Sequence, residues 1–317
     1  MRSGELVLGL DIGGTSSRAL VGDLRGEVRG RGAAGAGNPN SHPPEQAVAE
    51  VGAAARAALD GLDVRAVRSA VLGMAGISKM TDPRTAELFA DGWRELGLDC
   101  PVRVVSDCEV AFAAGTAAPD GTVLIAGTGA IAARIAQRRE VANSGGHGWL
   151  LGDEGSAFWL GREAVRHALR GLDRGEPLGQ LGTAVLAQLL GDTDGDPRDL
   201  RKRLITAVHG RAPIALAELA PAVTAACPGD AGARDVVQRA AVALADTAAE
   251  TRSPGDETPV VVAGSLTGED NPVGRALRTE LADRTGIRPI AAGPGAAGAA
   301  WLAALDLAPE APRYPGT

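Results

Sequence analysis

The chain has 317 residues, 45% of them hydrophobic and 22% charged, with a formal net charge of −7. This is the balance of a globular protein long enough for two domains of ordinary size. No basic block exists to draw it to nucleic acid or an anionic membrane. No apolar run approaches the roughly 20 residues of a bilayer span, and the N-terminus lacks the form of a signal peptide, so a cytoplasmic protein is expected.

In chain order, apolar runs at 6–12 and 17–23 predict two strands joined by a glycine turn, an antiparallel hairpin. A short strand over 28–31 follows. After the loop "GAGNPNSHPPE" an alanine-rich helix is predicted over about 45–59, with Pro43 and Pro44 suiting its start. A strand at 70–76, a helix at 83–96, a strand at 102–106 and a helix from Asp107 to about Ala114 complete a ββ(β)αβαβα order. The pattern then restarts with strand 122–126, a glycine turn and strand 130–136. "LGLDIGGTSSRAL" and "VLIAGTGAIAARI" share one form, an apolar strand, a Gly/Thr turn and a second apolar strand, about 115 residues apart. That duplication predicts two related α/β domains, 1–117 and 118–317. The second carries a helical insertion over about 156–252, then a strand at 259–265, a helix at 272–285, a short strand at 289–291 and a last helix at 294–305, expected to pack back on the first domain.

Cys100, Cys108 and Cys227 form no C-x-x-C pair, and with the four scattered histidines they show no metal-ligand spacing. The glycine turns carry the chemistry. At Gly13-Gly14-Thr15-Ser16 backbone N–H groups can approach a ligand closely, and the hydroxyls suit phosphate oxygens. The stretch is no P-loop, since G-x-x-x-x-G-K-[ST] is missing, and no dinucleotide fingerprint, since a strand follows where a helix should. Asp11, at the strand end, is placed to hold Mg²⁺ through water. The second tip, Gly127-Thr128-Gly129, would grip the same polyphosphate, and Gly264-Ser265 would let a base and ribose lie against backbone.

"LGLDIGGTSSRAL", "VVSDCEVAFAAG", "VLIAGTGAIA", "HGWLLGDEGSAFWLG", "VVVAGS" and "GPGAAGAAWLA", in this order over residues 6 to about 305, resemble the sugar-kinase/actin/heat-shock ATPase superfamily. Within it the chain is similar to the N-acetylglucosamine kinase branch, the BadF/BadG-type ATPase group. The resemblance implies two ribonuclease-H-like domains, ATP in the cleft between them and a sugar hydroxyl as acceptor. Asp107 matches the family's catalytic carboxylate, although Ser106-x-x-Glu109 also reads as a capping box with Asp107 in the first helical turn. Asp153, Asn38, Gly76, Gly146 and His147 match sugar-contacting positions, with Asn40 competing for the role of Asn38.

The expected activity is an ATP- and Mg²⁺-dependent kinase for a small-molecule amino sugar, N-acetylglucosamine phosphorylated at its 6-hydroxyl, in a homodimer without nucleic-acid or membrane partners. Ala130 and Ile131 stand where the animal enzymes carry Ser-Asn, so glucosamine or another amino sugar stays open as acceptor. An ATP-switched regulatory protein is the alternative of a different class.

Overall fold

The opening hairpin of the computed structural model, which describes residues 4–315, consists of β1 (Leu6–Ile12) and β2 (Ser17–Asp23), with Asp11 opposite Arg18. β3 (Val28–Ala34) extends it antiparallel to β2. The helix α1 (Pro44–Ala58) leads to β4 (Val67–Met74), and α2 (Pro83–Leu96) leads to β5 (Val102–Ser106), from whose end α3 (Asp107–Gly115) departs. β4 pairs parallel with both β1 and β5, giving the order β3-β2-β1-β4-β5. The central strand β1 is apolar almost throughout because both of its faces are covered, whereas the edge strand β3 alternates between half-buried and exposed residues.

The chain continues through β6 (Gly121–Ala126), β7 (Ala130–Ala136) and β8 (Arg139–Gly145) to the short α4 (Gly148–Leu151). Five helices follow: α5 (Ala157–Arg174), α6 (Gly179–Leu190), α7 (Pro197–His209), α8 (Ala220–Ala226) and α9 (Ala231–Ala249). Last come β9 (Val260–Ala263), α10 (Pro272–Thr285), β10 (Ile290–Ala291) and α11 (Gly295–Leu305). The second sheet has the order β10-β9-β6-β7-β8. No helix of the described residues is long and apolar enough to cross a membrane.

The chain divides into two units that differ from a single cut near residue 117. The first runs to Gly121 and also takes Ile135–Glu140 and the stretch from Ala292 on; the second holds Thr122–Arg134 and Val141–Ala291. Two physical causes put the distant segments in the first unit. The β7–β8 turn, with Gln137 and Arg138 at positive φ, bonds back to residues 117–120: Arg138 N–H donates to the Pro119 carbonyl at 2.7 Å and Gln137 N–H to Asp120 Oδ1 at 2.8 Å. The helix α11 lies directly on β1 at Gly9, where a Cβ would stand 2.1 Å from Ala300 N. Only a residue without a side chain permits that approach, and it lets an alanine-rich run with Trp301 and Leu302 in it, Ala296–Ala304, become buried against Val7, Leu20, Val71 and Val110. The tail behind α11 is tied down by Trp301 Nε1 donating to the Ala311 carbonyl at 2.9 Å and by the Tyr314 hydroxyl donating to the Asp23 carbonyl at 2.8 Å.

On the opposite face of the first sheet, Leu8, Leu10, Ile12 and Leu72 pack with α1 and α2. In the second unit α5–α9 share one core with β6 and β9, built on Leu124, Val260, Val262, Leu160 and Leu244. Ser156 caps α5, its Oγ accepting from Trp159 N–H at 3.2 Å, and Gly175 ends the helix in the left-handed conformation.

Candidate functional site

In the first unit the polar groups gather at the carboxyl ends of β1, β4 and β5, the edge where open α/β sheets present turns and helix starts to ligands. Register places Asp11 beside Gly73 and Met74 beside Ser106, so Asp11 and Asp107 arise from two strands with β4 between them. Asp107 opens α3, and its Oδ1 accepts from Cys108 N–H at 3.1 Å. The capping box expected at Ser106-x-x-Glu109 is only half formed. Ser106 Oγ accepts from Glu109 N–H at 3.2 Å, but the Glu109 carboxylate turns away to accept from Glu140 N–H at 3.3 Å.

Burial first, then the negative charges of Asp11 and Glu140, push the Asp107 carboxyl from its ordinary 3.8 up to about 6. Burial also raises Asp11, against the opposing pull of Arg18 across the hairpin. Asp11 faces the start of α11, since a Cβ on Gly295 would lie 2.3 Å from its Oδ2. Repelling carboxylates in partial shelter favour a cation, or a proton taken from a bound hydroxyl.

At the hairpin tip Gly13 N–H donates to the Ser16 carbonyl at 2.9 Å, leaving Gly14 and Thr15 exposed and Ser16 half-buried. Nearby, Asn38 is buried and nearly used up: its Nδ2 donates to the Ala75 carbonyl at 3.0 Å, and its Oδ1 accepts from both Asn40 N–H and Asn40 Nδ2. Asn40 Nδ2 also donates to the Ala75 carbonyl at 3.0 Å and the Gly76 carbonyl at 2.7 Å. Asn40 itself is exposed, with its Oδ1 left to accept. Gly76 is left-handed at φ 64°. The two asparagines thus divide the work: Asn38 braces the loop and Asn40 presents it.

In the second unit β6 and β9 pair parallel up to Ile125 and Ala263, and the glycine turns Gly127–Gly129 and Gly264–Ser265 follow at the same sheet edge. Gly264 has φ 98°, and a Cβ there would stand 2.2 Å from the Ala126 carbonyl oxygen, so glycine is what allows the turns to touch. The carbonyls of Gly127 and Thr128 accept from Ala157 N–H at 2.9 Å and Phe158 N–H at 3.2 Å, seating the turn on the start of α5. Thr128, Gly264 and Ser265 remain exposed.

Asp153, 8% exposed, holds a left-handed φ of 57°, rare for a residue with a side chain. Its Oδ1 accepts from Ala130 N–H at 3.1 Å and its carboxyl lies against Gly129, bracing the second tip. Burial raises its pKa, opposed by the Ala130 N–H and by His147. Gly146 N–H donates to the Ala130 carbonyl at 2.8 Å, so Gly146 and Asp153 hold the same residue from its two backbone groups, with His147 acting on the Asp153 carboxyl.

Sequence reasoning missed Glu140, Arg18 and the start of α11 as neighbours of the carboxylate pair. Glu140 lies in the polar stretch "REVANSG", which has no signal of its own; only the β7–β8 turn brings it to Glu109.

The family model described as BadF/BadG/BcrA/BcrD ATPase family matches residues 8–303. The N-acetylmuramic acid/N-acetylglucosamine kinase of Clostridium acetobutylicum is 31% identical over 173 residues, 54% of this chain and 56% of that protein. The N-acetyl-D-glucosamine kinase of Dictyostelium discoideum is 29% identical over 200 residues, 59% of this chain and 61% of that protein. The chain therefore spans about three fifths of the length of these curated relatives. A solved structure of a candidate N-acetylglucosamine kinase from Chromobacterium violaceum superposes with a TM-score of 0.75 at 26% identity, covering 95% of this chain and 99% of that one. The fold is accordingly α/β, with two ribonuclease-H-like domains of the actin-like ATPase kind.

Proposed function

We propose, since the chain belongs to the BadF/BadG/BcrA/BcrD ATPase family, that it is an ATP-dependent amino-sugar kinase acting on the 6-hydroxyl of N-acetylglucosamine. The observation that carries this reading is Asp107, a carboxyl poised at about 6 in the first turn of α3, with Asp11 near enough to shift it. Mg-ATP, when bound, supplies the electrophilic phosphorus and neutralises charge on its oxygens.

The chain's own residues supply position and the proton acceptor. Asp107 takes the proton as the sugar O6–H bond breaks and O6 bonds to phosphorus; the bond to the ADP oxygen breaks in the same transfer. The Asp11 carboxylate would hold the Mg²⁺ of the nucleotide, and burial raises its pKa until a cation offsets the charge. Backbone N–H groups and hydroxyls of Gly13–Ser16 and of Gly127–Gly129 suit phosphate oxygens, and Gly264 and Ser265 suit the nucleoside. In the first unit the proposed sugar contacts are Asn40, braced by Asn38, and Gly76; in the second they are Gly146, His147 and Asp153. A homodimer in the cytoplasm completes the reading, and sedimentation of the purified chain tests the dimer.

ADP release over glucose, glucosamine, N-acetylglucosamine and N-acetylmannosamine tests the activity, with N-acetylglucosamine expected to give the highest kcat/KM. Binding of ATP with no turnover of any sugar would remove the kinase and favour an ATP-switched regulator. The Clostridium relative is named for two acceptors, one of them acidic, which raises the question of the sugar's substituent at C3.

A further inference from the structure

Resting on that kinase reading, we infer that residues 146–153 of the second unit form a lid. It closes when sugar binds, laying Leu150 and Leu151 on the sugar and keeping water from the phosphoryl group in transfer.

The segment leaves the second sheet and comes back to it at one residue. Gly146 N–H donates to the Ala130 carbonyl at 2.8 Å, and Asp153 Oδ1 accepts from Ala130 N–H at 3.1 Å. Both ends of the excursion are pinned to the same residue, beside the Gly127–Gly129 turn on which the Asp153 carboxyl rests. Between the pins every residue from 146 to 151 is exposed. At the crest, α4 bonds to itself, Gly152 N–H donating to the Gly148 carbonyl at 2.9 Å. Trp149 anchors it to α5, with ring centroids 5.8 Å from Phe158 and planes tilted by 56°. A loop with its ends together and its crest in water opens and closes as a body about its base. Gly146 and Gly148, at φ 67° and 79°, flank His147 at the leading pin, and glycine passes between positive and negative φ without a steric penalty. Such positions absorb the dihedral change of a hinge.

The leucines say what the lid meets. Leu150 is 73% exposed and Leu151 79%, and among the described residues no large apolar side chain is more exposed. Neighbouring leucines left in water mark a surface that something covers. Their place in the chain favours the sugar. The helix that carries them is bracketed by His147, its N-cap residue, and by Asp153, both proposed sugar contacts, so a sugar held there lies at the foot of the crest. An N-acetylated pyranose offers C–H faces and an acetamido methyl to the leucines while its hydroxyls go to the polar pair. The closed form then binds sugar better than the open one, which is the differential affinity that closure requires. With the lid open, a water oxygen in place of O6 bonds to phosphorus and the bond to the ADP oxygen breaks. The products are ADP and inorganic phosphate, and the released proton goes to solvent.

The test uses the full chain with ATP, Mg²⁺ and N-acetylglucosamine. Chymotrypsin reads the crest directly, since Trp149, Leu150 and Leu151 offer it exposed sites. Cleavage there, located by mass spectrometry, should slow about tenfold when sugar is added without nucleotide. The double variant Leu150→Ser/Leu151→Ser should keep the urea midpoint of wild type, because both side chains are exposed. It should phosphorylate sugar more slowly and release about two or more ADP per sugar phosphate, where wild type releases about one. Wild type that phosphorylates the sugar but is cleaved equally with and without it overturns the lid and spares the kinase reading. So does a double variant that keeps the wild-type ratio. A double variant that alters sedimentation but not the ratio assigns the leucines to a contact between copies and also overturns the lid. Wild type inert toward every sugar overturns the kinase reading first.

Discussion

Replacing Asp107 with asparagine should make the protein more stable while removing its phosphoryl transfer. The carboxyl ionises near 6 in the folded chain against an ordinary 3.8. At about 1.36 kcal/mol per pK unit, ionising it costs the fold about 3 kcal/mol, an upper figure because the half-buried group still meets some water. The sign follows from proton binding. Below pH 3.8 folded and unfolded chains are both protonated at this site and no penalty exists. Between 3.8 and 6 the folded chain binds the extra proton, so stability falls as pH rises, and above 6 the whole penalty is present. Asparagine never ionises, and its side-chain oxygen can still accept from Cys108 N–H. Urea melts of both proteins without nucleotide should therefore coincide near pH 4 and separate to about 1–3 kcal/mol in favour of the variant at pH 7.5. Other groups titrate in both proteins and largely cancel. A difference that stays flat with pH, or a variant less stable at pH 7.5, would refute the claim that burial and Asp11 strain this carboxylate. ATP and sugar should bind the variant within a few-fold of wild type while turnover vanishes.

Other expectations follow from the same geometry. Because the base must be ionised to take a proton, kcat/KM should rise with pH through about 6 and level above it; a profile flat from pH 5 to 8 would point to another base. Gly264→Ala forces a side chain into the Ala126 carbonyl at positive φ, and should cost about 2–5 kcal/mol in chemical denaturation and weaken ATP binding measured by calorimetry. Asp153→Ala leaves the buried Ala130 N–H without its acceptor and should cost about 1–3 kcal/mol, whereas Asp153→Asn, which keeps an oxygen there, should cost under about 1; equal losses would deny the carboxylate its bracing role.

Much of the fold could be read in advance where local chemistry and tertiary packing agree. The bounds of α2 coincide with expectation at both ends because Asp82 and Pro83 start it and Gly97 stops it. β1 and β2 are legible because a hairpin turn separates two apolar runs. β8 was not legible: it is an edge strand of polar, mostly exposed residues without alternation, placed by β7 and by bonds from Glu140 to Glu109 and from Ser144 to Glu250. β3 likewise extends beyond its expected end to Ala34 because α1 and β2 support it. At the site, residues on glycine turns announced themselves, since backbone approach needs glycine whatever the fold. Glu140 and Arg18 did not, because their importance lies in the charge they bring to a partner distant in sequence. The Ser106-Glu109 box misled for the same reason, its glutamate being drawn off by the β7–β8 turn.

The return of α11 to β1 sets a schedule for synthesis. A ribosome that has made β1 to β5 and α3 has made a sheet with one apolar face only partly covered, by Val110 and Ala113, and Val7, Leu20 and Val71 do not gain their remaining cover until residues beyond 295 emerge. All of the second unit is translated in between. The N-terminal half of the nascent chain is therefore exposed to aggregation or chaperone capture for most of its elongation time, and a stop codon shortly before Gly295 would strand it there while leaving the second unit's own core complete.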